Sequence, residues 1–136
     1  MGDLRRRYER ATLPLGRALS RMGLTPNMIT VASILVCVFS LYFFVIRELL
    51  IALLVVIIAG ILDILDGAIA RATGKASKFG TLLDNTADRV VEGVILLGLT
   101  LGDYIGGWLA VATLLSMFLP SYIRARGEAE LGINAR

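Results

Sequence analysis

The chain has 136 residues, of which 57% are hydrophobic and 18% charged, and its formal net charge is +3. This length limits it to one domain, 1–136, and a mean hydropathy of +0.77 excludes an ordinary soluble composition. The sequence contains no histidine, so acid–base or metal chemistry must rely on carboxylates. Its single cysteine, Cys37, excludes an intrachain disulfide.

The first predicted element, residues 1–22, is an amphipathic helix. Apolar residues recur in it every three or four positions, from Leu4 to Met22, with arginines between them. Such a helix is suited to lie on an anionic membrane surface. Packing on a partner is the alternative. Pro26 then disfavours helical geometry at Thr25 and predicts a break before the next element.

Four apolar segments follow, each close to the 20 residues that cross a bilayer core. We predict spans at about 27–46, 49–71, 81–102 and 107–124. The predicted fold class is therefore an all-α integral membrane protein, with an N-terminal amphipathic interfacial helix plus four transmembrane helices. We expect membrane lipids, and no nucleic acid, among its partners.

Most basic residues cluster in every second segment outside the spans, and this distribution predicts the orientation of the chain in the membrane. They precede the first span, lie between the second and third, and end the fourth: Arg5, Arg6, Arg7, Arg10, Arg17, Arg21, Arg71, Lys75, Lys78, Arg124 and Arg126. The positive-inside rule then places the N-terminus, the 71–80 loop and the C-terminus in the cytoplasm. This predicts a multi-pass protein of the cytoplasmic membrane.

Four aspartates interrupt the second and third spans. Asp63 and Asp66 lie near the end of one span, and Asp84 and Asp88 near the start of the next. A hairpin turning near residue 75 would put the four carboxylates on facing helices, at two levels roughly 5 Å apart. The spacings i, i+3 and i, i+4 keep each pair on one helix face. We therefore expect the four groups to converge.

Converging carboxylates in a low-dielectric site must be protonated or neutralised by cations. Oxygen ligands without histidine or cysteine favour hard divalent ions such as Mg²⁺, Mn²⁺ or Ca²⁺, and two ions would suit phosphoryl chemistry. The alternative is that the aspartates only form ion pairs with nearby cationic residues, namely Arg71, Lys75, Lys78 and Arg89.

A longer pattern surrounds these aspartates. It reads D-x2-D-G-x2-A-R-x8-G-x3-D-x3-D and is formed by Asp63, Asp66, Gly67, Ala70, Arg71, Gly80, Asp84 and Asp88. This pattern resembles the signature of the CDP-alcohol phosphatidyltransferases, and the segment "LTPNMIT" before the first span resembles the start of that family. The resemblance implies transfer of a phosphatidyl-type group from CDP-diacylglycerol or CDP-archaeol to an alcohol, with release of CMP.

The resemblance also implies roles for individual residues. Two divalent ions, Mg²⁺ or Mn²⁺, would be held by Asp63, Asp66, Asp84 and Asp88. Asp88 would in addition be the general base for the acceptor hydroxyl. The CDP-lipid site, open to the cytoplasm, would be formed by Asp66, Gly67, Ala70, Arg71, Gly80 and Asn27.

The end of the fourth span carries a candidate acceptor site. Ser121, Arg124 and Arg126 supply a hydroxyl and two guanidiniums, which suit a phosphate. The alternative is that the arginines only mark the cytoplasmic end of a span. "SYIRARGE" resembles the branch that makes phosphatidylinositol phosphate or its archaeal ether-lipid counterpart, archaetidylinositol phosphate. In that branch the matching residues bind the phosphate of inositol 1-phosphate, which we therefore expect as acceptor, with glycerol 3-phosphate as the alternative.

The family usually has six spans and forms homodimers. The resemblance therefore implies a homodimer, and two further helices supplied by a longer form of this chain or by another chain. Two other interpretations of the sequence are a membrane cation transporter and a non-catalytic assembly subunit. A transporter predicts acidic residues spread along a path through the bilayer, whereas the four aspartates cluster at one predicted depth, which favours the enzyme.

Overall fold

The computed structural model of the protein describes residues 2–74 and 77–132. This part of the chain is helical, without a strand, and the predicted all-α fold class is confirmed. Its elements are α1 (Gly2–Arg21), α2 (Pro26–Val45), α3 (Leu49–Thr73), α4 (Lys78–Leu101) and α5 (Gly107–Leu131). Residue 75, where we placed the turn between the second and third spans, lies outside the described residues.

Local signals explain where the helices near this turn begin and end. Thr25 caps α2, since its hydroxyl accepts a hydrogen bond from the Met28 N–H at 3.4 Å, and Pro26 occupies a first-turn position that needs no donor. The C-terminus of α3 is closed by Gly74, whose φ of 65° is left-handed. Ser77 then caps α4 by accepting from the Gly80 N–H at 2.9 Å. This cap starts α4 three residues before the predicted position 81.

The last helix continues beyond the predicted span end at 124. Residues 125–131 are mostly good helix formers, and Arg126 forms an ion pair with Glu130 one turn later. The helix ends where Gly132 adopts a φ of 62°. The apolar segment and a polar extension therefore form one continuous helix.

Three helices of the described chain are long and apolar enough to cross a membrane: Pro26–Val45, Leu49–Thr73 and Gly107–Glu130. The 24-residue α4 has sufficient length but carries Asp84, Asp88, Arg89 and Glu92. The third predicted span, at about 81–102, therefore stays a prediction. Leu50 and Trp108 are each 78% exposed, and apolar surfaces of this kind suit a lipid environment.

The second helix is central to the packing. α2 packs against both α3 and α4, α1 packs against α3, and α5 packs mainly against α4. The buried side chains of α2 include small ones such as Ser33 and Ser40. Their hydroxyls donate to carbonyls of their own helix at 2.7 and 2.6 Å. Small residues at such interfaces let helices approach closely.

Two helical glycines mark close contacts between helices. A Cβ on Gly16 of α1 would collide with the backbone carbonyl of Ala68 in α3. A Cβ on Gly98 of α4 would lie 2.5 Å from Cδ2 of Phe44 in α2. The first contact holds α1 against the part of α3 that carries the D-G-x2-A-R residues.

The far end of the bundle is joined by a charge pair. Arg47, in the turn between α2 and α3, forms an ion pair with Asp103, in the turn between α4 and α5. Both residues have positive φ angles, 64° and 59°. The two turns predicted to lie on the same side of the membrane are thus in contact.

The Gly98 contact can be tested by substitution. We expect Gly98→Ala to destabilise the protein by about 1–3 kcal/mol, because the added methyl group would overlap the buried Phe44 ring. Unfolding of the purified protein in detergent measures the change. Gly93→Ala in the same helix is the control: nothing lies within 4 Å of its Cβ position, so it should be neutral or stabilising. Equal losses in both variants would contradict the contact.

Candidate functional site

An open cavity lies where α2 begins, α3 ends and α4 begins. The empty space in it, including the part that is open to solvent, is about 440 Å³. The lining residues are Pro26, Asn27, Thr30, Asp66, Gly67, Ala70, Ser77, Gly80, Thr81 and Asp84. Five of the six residues predicted for the CDP-lipid site are among them: Asn27, Asp66, Gly67, Ala70 and Gly80.

Three carboxylates come together at this cavity. Asp63 and Asp66 of α3 and Asp84 of α4 each offer an oxygen, and these oxygens lie within 4.8 Å of one another. Asp66 is only 5% exposed. Carboxylates this close repel each other, and a buried negative charge needs a compensating partner. An all-oxygen group of this kind fits a hard divalent cation such as Mg²⁺ or Mn²⁺.

The fourth predicted ligand lies beside this group. Asp88 is exposed and follows Asp84 by one helical turn. Its carboxylate is not one of the three whose oxygens lie within 4.8 Å of one another. The three-carboxylate group is thus accompanied by a more accessible fourth carboxylate.

The nearest cation along α4 has another partner. Arg89 forms an ion pair with Glu92 through Nη1 and Oε2 at 2.6 Å. Each side chain is about one quarter exposed, 29% and 24%. Arg89 therefore neutralises Glu92, one turn beyond Asp88.

A hydroxyl that sequence reasoning missed contacts the carboxylate group directly. Thr30 of α2 is 4% exposed and donates a hydrogen bond from Oγ1 to Oδ2 of Asp66 at 2.5 Å. The only available signal was its position in "LTPNMIT", three residues after Asn27. Threonine in an apolar helix usually bonds a carbonyl of its own helix, so its type alone does not indicate this contact.

Two glycines keep polar groups close to the cavity. A Cβ on Gly67 would lie 3.1 Å from Nη1 of Arg71, so the guanidinium lies against Gly67 although Arg71 does not line the cavity. A Cβ on Gly80 would lie 3.1 Å from Oγ of Ser77 and 3.6 Å from Oδ1 of Asn27. Glycine at these positions leaves room for groups that can bind a ligand.

The residues predicted to bind the acceptor lie elsewhere. Ser121, Arg124 and Arg126 are exposed on α5 and do not line this cavity. The Ser121 hydroxyl donates to the Met117 carbonyl at 3.2 Å, and Arg126 pairs with Glu130. Ser121 and Arg124 share a helix face, whereas Arg126 is five positions from Ser121 and lies on another. Their role stays a prediction.

Known proteins resemble this chain in both sequence and fold. It is 39% identical over 114 residues to archaetidylinositol phosphate synthase of Pyrococcus horikoshii, covering 84% of this chain and 61% of the relative. It is 38% identical over 129 residues to phosphatidylinositol phosphate synthase of Mycolicibacterium smegmatis, covering 90% and 58%.

Solved structures of related enzymes have a similar fold. The Mycobacterium tuberculosis phosphatidylinositol phosphate synthase with CDP-DAG bound matches with a TM-score of 0.76 and 36% identity, over 88% of this chain and 64% of that one. The same enzyme with manganese and citrate also gives 0.76 and 36%, over 87% and 60%. This chain thus spans about 60% of the length of these relatives.

The match extends to a whole protein family. The profile of the CDP-alcohol phosphatidyltransferases covers residues 23–134. This range includes the three-carboxylate group, the surrounding cavity and the whole of α5. The chain therefore belongs to the CDP-alcohol phosphatidyltransferase family.

Proposed function

We propose that this protein is a phospholipid-synthesising enzyme. It transfers a phosphatidyl or archaetidyl group from a CDP-linked lipid to a phosphorylated alcohol and releases CMP. The observation that carries the proposal is the group of Asp63, Asp66 and Asp84 oxygens within 4.8 Å of one another, at a cavity lined by Gly67 and Gly80. Membership of the family supports the same reaction.

The metal ligands follow from the carboxylate group. Asp63, Asp66 and Asp84, with Asp88 beside them, would hold Mg²⁺ or Mn²⁺, as two ions by the family resemblance. Such ions would neutralise negative charge on the diphosphate and on the phosphate of the leaving CMP. Support comes from the M. tuberculosis relative, whose structure is described as a complex with manganese and citrate.

Asp88 is also the proposed general base. Its carboxylate is exposed, so a hydroxyl group can approach it, whereas Asp66 is buried. Asp88 takes the proton as the acceptor oxygen forms its bond to the phosphatidyl phosphorus. The bond from that phosphorus to CMP breaks, and CMP leaves with the bonding electron pair. No covalent enzyme intermediate is needed.

The remaining cavity residues bind the CDP-lipid. Gly67, Ala70 and Gly80 leave space for the nucleotide and diphosphate, and Asn27 offers a side-chain amide. Arg71, whose guanidinium lies against Gly67, places a positive charge beside the diphosphate. The M. tuberculosis relative is described with CDP-DAG bound. In this chain the donor is CDP-diacylglycerol or CDP-archaeol, with its tails in the bilayer.

The proposed acceptor is inositol 1-phosphate. Relatives named archaetidylinositol and phosphatidylinositol phosphate synthases support this choice. Ser121, Arg124 and Arg126 bind the acceptor phosphate. The enzyme works in the cytoplasmic membrane as a homodimer, with its cavity open to the cytoplasm.

The reaction can be tested with the purified full chain in lipid vesicles. We expect CMP release from CDP-diacylglycerol or CDP-archaeol only with a phosphorylated alcohol and Mg²⁺ or Mn²⁺. Chelation should abolish release, and added metal should restore it. Inositol 1-phosphate should exceed glycerol 3-phosphate as acceptor, and the reverse order would overturn the choice of acceptor. No CMP with any acceptor would contradict enzyme activity in this polypeptide.

If Asp88 is the general base, its substitution should lower turnover without abolishing binding of the CDP-lipid. Asp88→Asn should lower turnover by about 10²–10⁴-fold, because general base catalysis contributes on this order. Binding of the CDP-lipid, followed by equilibrium titration, should remain measurable. Asp103→Asn, which neutralises a carboxylate at the opposite end of the bundle, is the control and should keep turnover. Near-normal turnover in Asp88→Asn would remove Asp88 as the base.

The proposed acceptor site can be tested through the KM for the acceptor. Exchanging Arg124 and Arg126 for Gln should raise the KM for inositol 1-phosphate, because two charge-assisted contacts to phosphate are lost. The KM for the CDP-lipid should stay constant. Arg21→Gln, at an exposed arginine of α1, controls for the loss of basic charge. An unchanged acceptor KM would leave the two arginines only a topological role.

A further inference from the structure

A buried hydrogen bond joins α2 to the carboxylate group. Thr30 and Asp66 are 36 positions apart in the sequence, and their contact is buried. The distance from Oγ1 to Oδ2 is 2.5 Å, within the range of hydroxyl–carboxylate bonds strengthened by charge. Because Asp66 is one of the three grouped carboxylates, this bond reaches directly into the proposed metal site.

The geometry favours Asp66 over the other acceptor near Thr30. The hydroxyl also lies 3.1 Å from the Pro26 carbonyl, the usual acceptor four residues earlier in a helix. A hydroxyl has one proton to donate. The contact to Asp66 is 0.6 Å shorter (3.1 minus 2.5 Å), and its acceptor is a carboxylate. Asp66 therefore accepts the hydrogen bond from Thr30.

The Thr30 hydroxyl is itself held in place. Thr25 and Pro26 set the first turn of α2, and Thr30 follows within that helix. Its β-branched side chain has few χ1 rotamers. The terminal torsion of an aspartate, in contrast, is broad. A bond from a fixed donor to Oδ2 therefore restricts the rotation of the Asp66 carboxylate.

We propose that Thr30 is a positioning residue that orients the Asp66 carboxylate for binding a divalent cation. This inference rests on the proposed function, because that function makes Asp66 a metal ligand. Thr30 contacts the Asp66 carboxylate and not the ion. Loss of such a supporting hydrogen bond reduces metal affinity by about 10- to 100-fold.

The test measures Mn²⁺ binding to the purified full chain without substrate, by titration calorimetry or by the EPR signal of free Mn²⁺. Thr30→Val keeps the shape but removes the donor, and should weaken Mn²⁺ binding about 10- to 100-fold. Thr30→Ser keeps the donor and should restore most of the affinity. Thr30→Ala provides a second donor-free variant if the valine variant does not fold.

Thr100→Val is the matched control. Thr100 donates to the Leu96 carbonyl of its own helix at 2.8 Å, toward the opposite end of α4, so Mn²⁺ affinity should not change. If the role of Thr30 were purely structural, its substitution would lower the unfolding temperature. The Mn²⁺ affinity would then not differ between Thr30→Ser and the two donor-free variants. Unchanged affinity in Thr30→Val and Thr30→Ala, or equal losses in Thr30→Ser, would overturn the proposal.

The outcomes also separate this inference from the proposed function. If wild-type protein binds Mn²⁺ and responds to Thr30 as expected but releases no CMP, the proposed reaction fails and the inference stands. If CMP is released and the donor-free variants bind Mn²⁺ normally, the inference alone fails. Wild-type protein that binds no Mn²⁺ would overturn the inference.

Discussion

Repulsion among three carboxylates is the constraint on which the site depends. Asp63, Asp66 and Asp84 bring their oxygens within 4.8 Å of one another, and Asp66 is buried. This arrangement is unfavourable unless a cation and hydrogen bonds compensate for it. The helices must therefore be held together by other contacts, and the negative charges must be neutralised by protons or by a cation.

Close helix packing supplies the necessary rigidity. The caps at Gly74 and Ser77 fix where α3 ends and α4 begins, so Asp66 and Asp84 face each other from defined positions. On the other side of α3, Gly16 lies against the Ala68 carbonyl, two residues after Asp66. Helix α1 and the motif-bearing segment of α3 thus pack closely against each other. A displacement of α1 would therefore also affect the position of the α3 segment that carries Asp66.

The sequence predicts the part of this arrangement that follows from local periodicity. Apolar runs of bilayer length predict the helices, and equal distances from a turn place Asp66 and Asp84 at the same level. The same spacing matches Asp63 with Asp88, whereas the structure groups Asp63 with Asp66 and Asp84. The bond between Thr30 and Asp66 could not be predicted in this way, because the helix period carries no information about rotation between α2 and α3. The early start of α4 was encoded in Ser77 as a cap, but the apolar pattern begins later and determined the predicted boundary.

The donor and acceptor halves of the proposed reaction occupy different parts of the fold. The cavity and the carboxylate group are built by α2, α3 and α4, whereas Ser121 and both arginines lie exposed on α5. Because α5 packs mainly against α4, it contributes little to the α2–α3 contact that holds Asp66. Metal and CDP-lipid binding should therefore depend on the three central helices, and delivery of the acceptor on how α5 is held against α4.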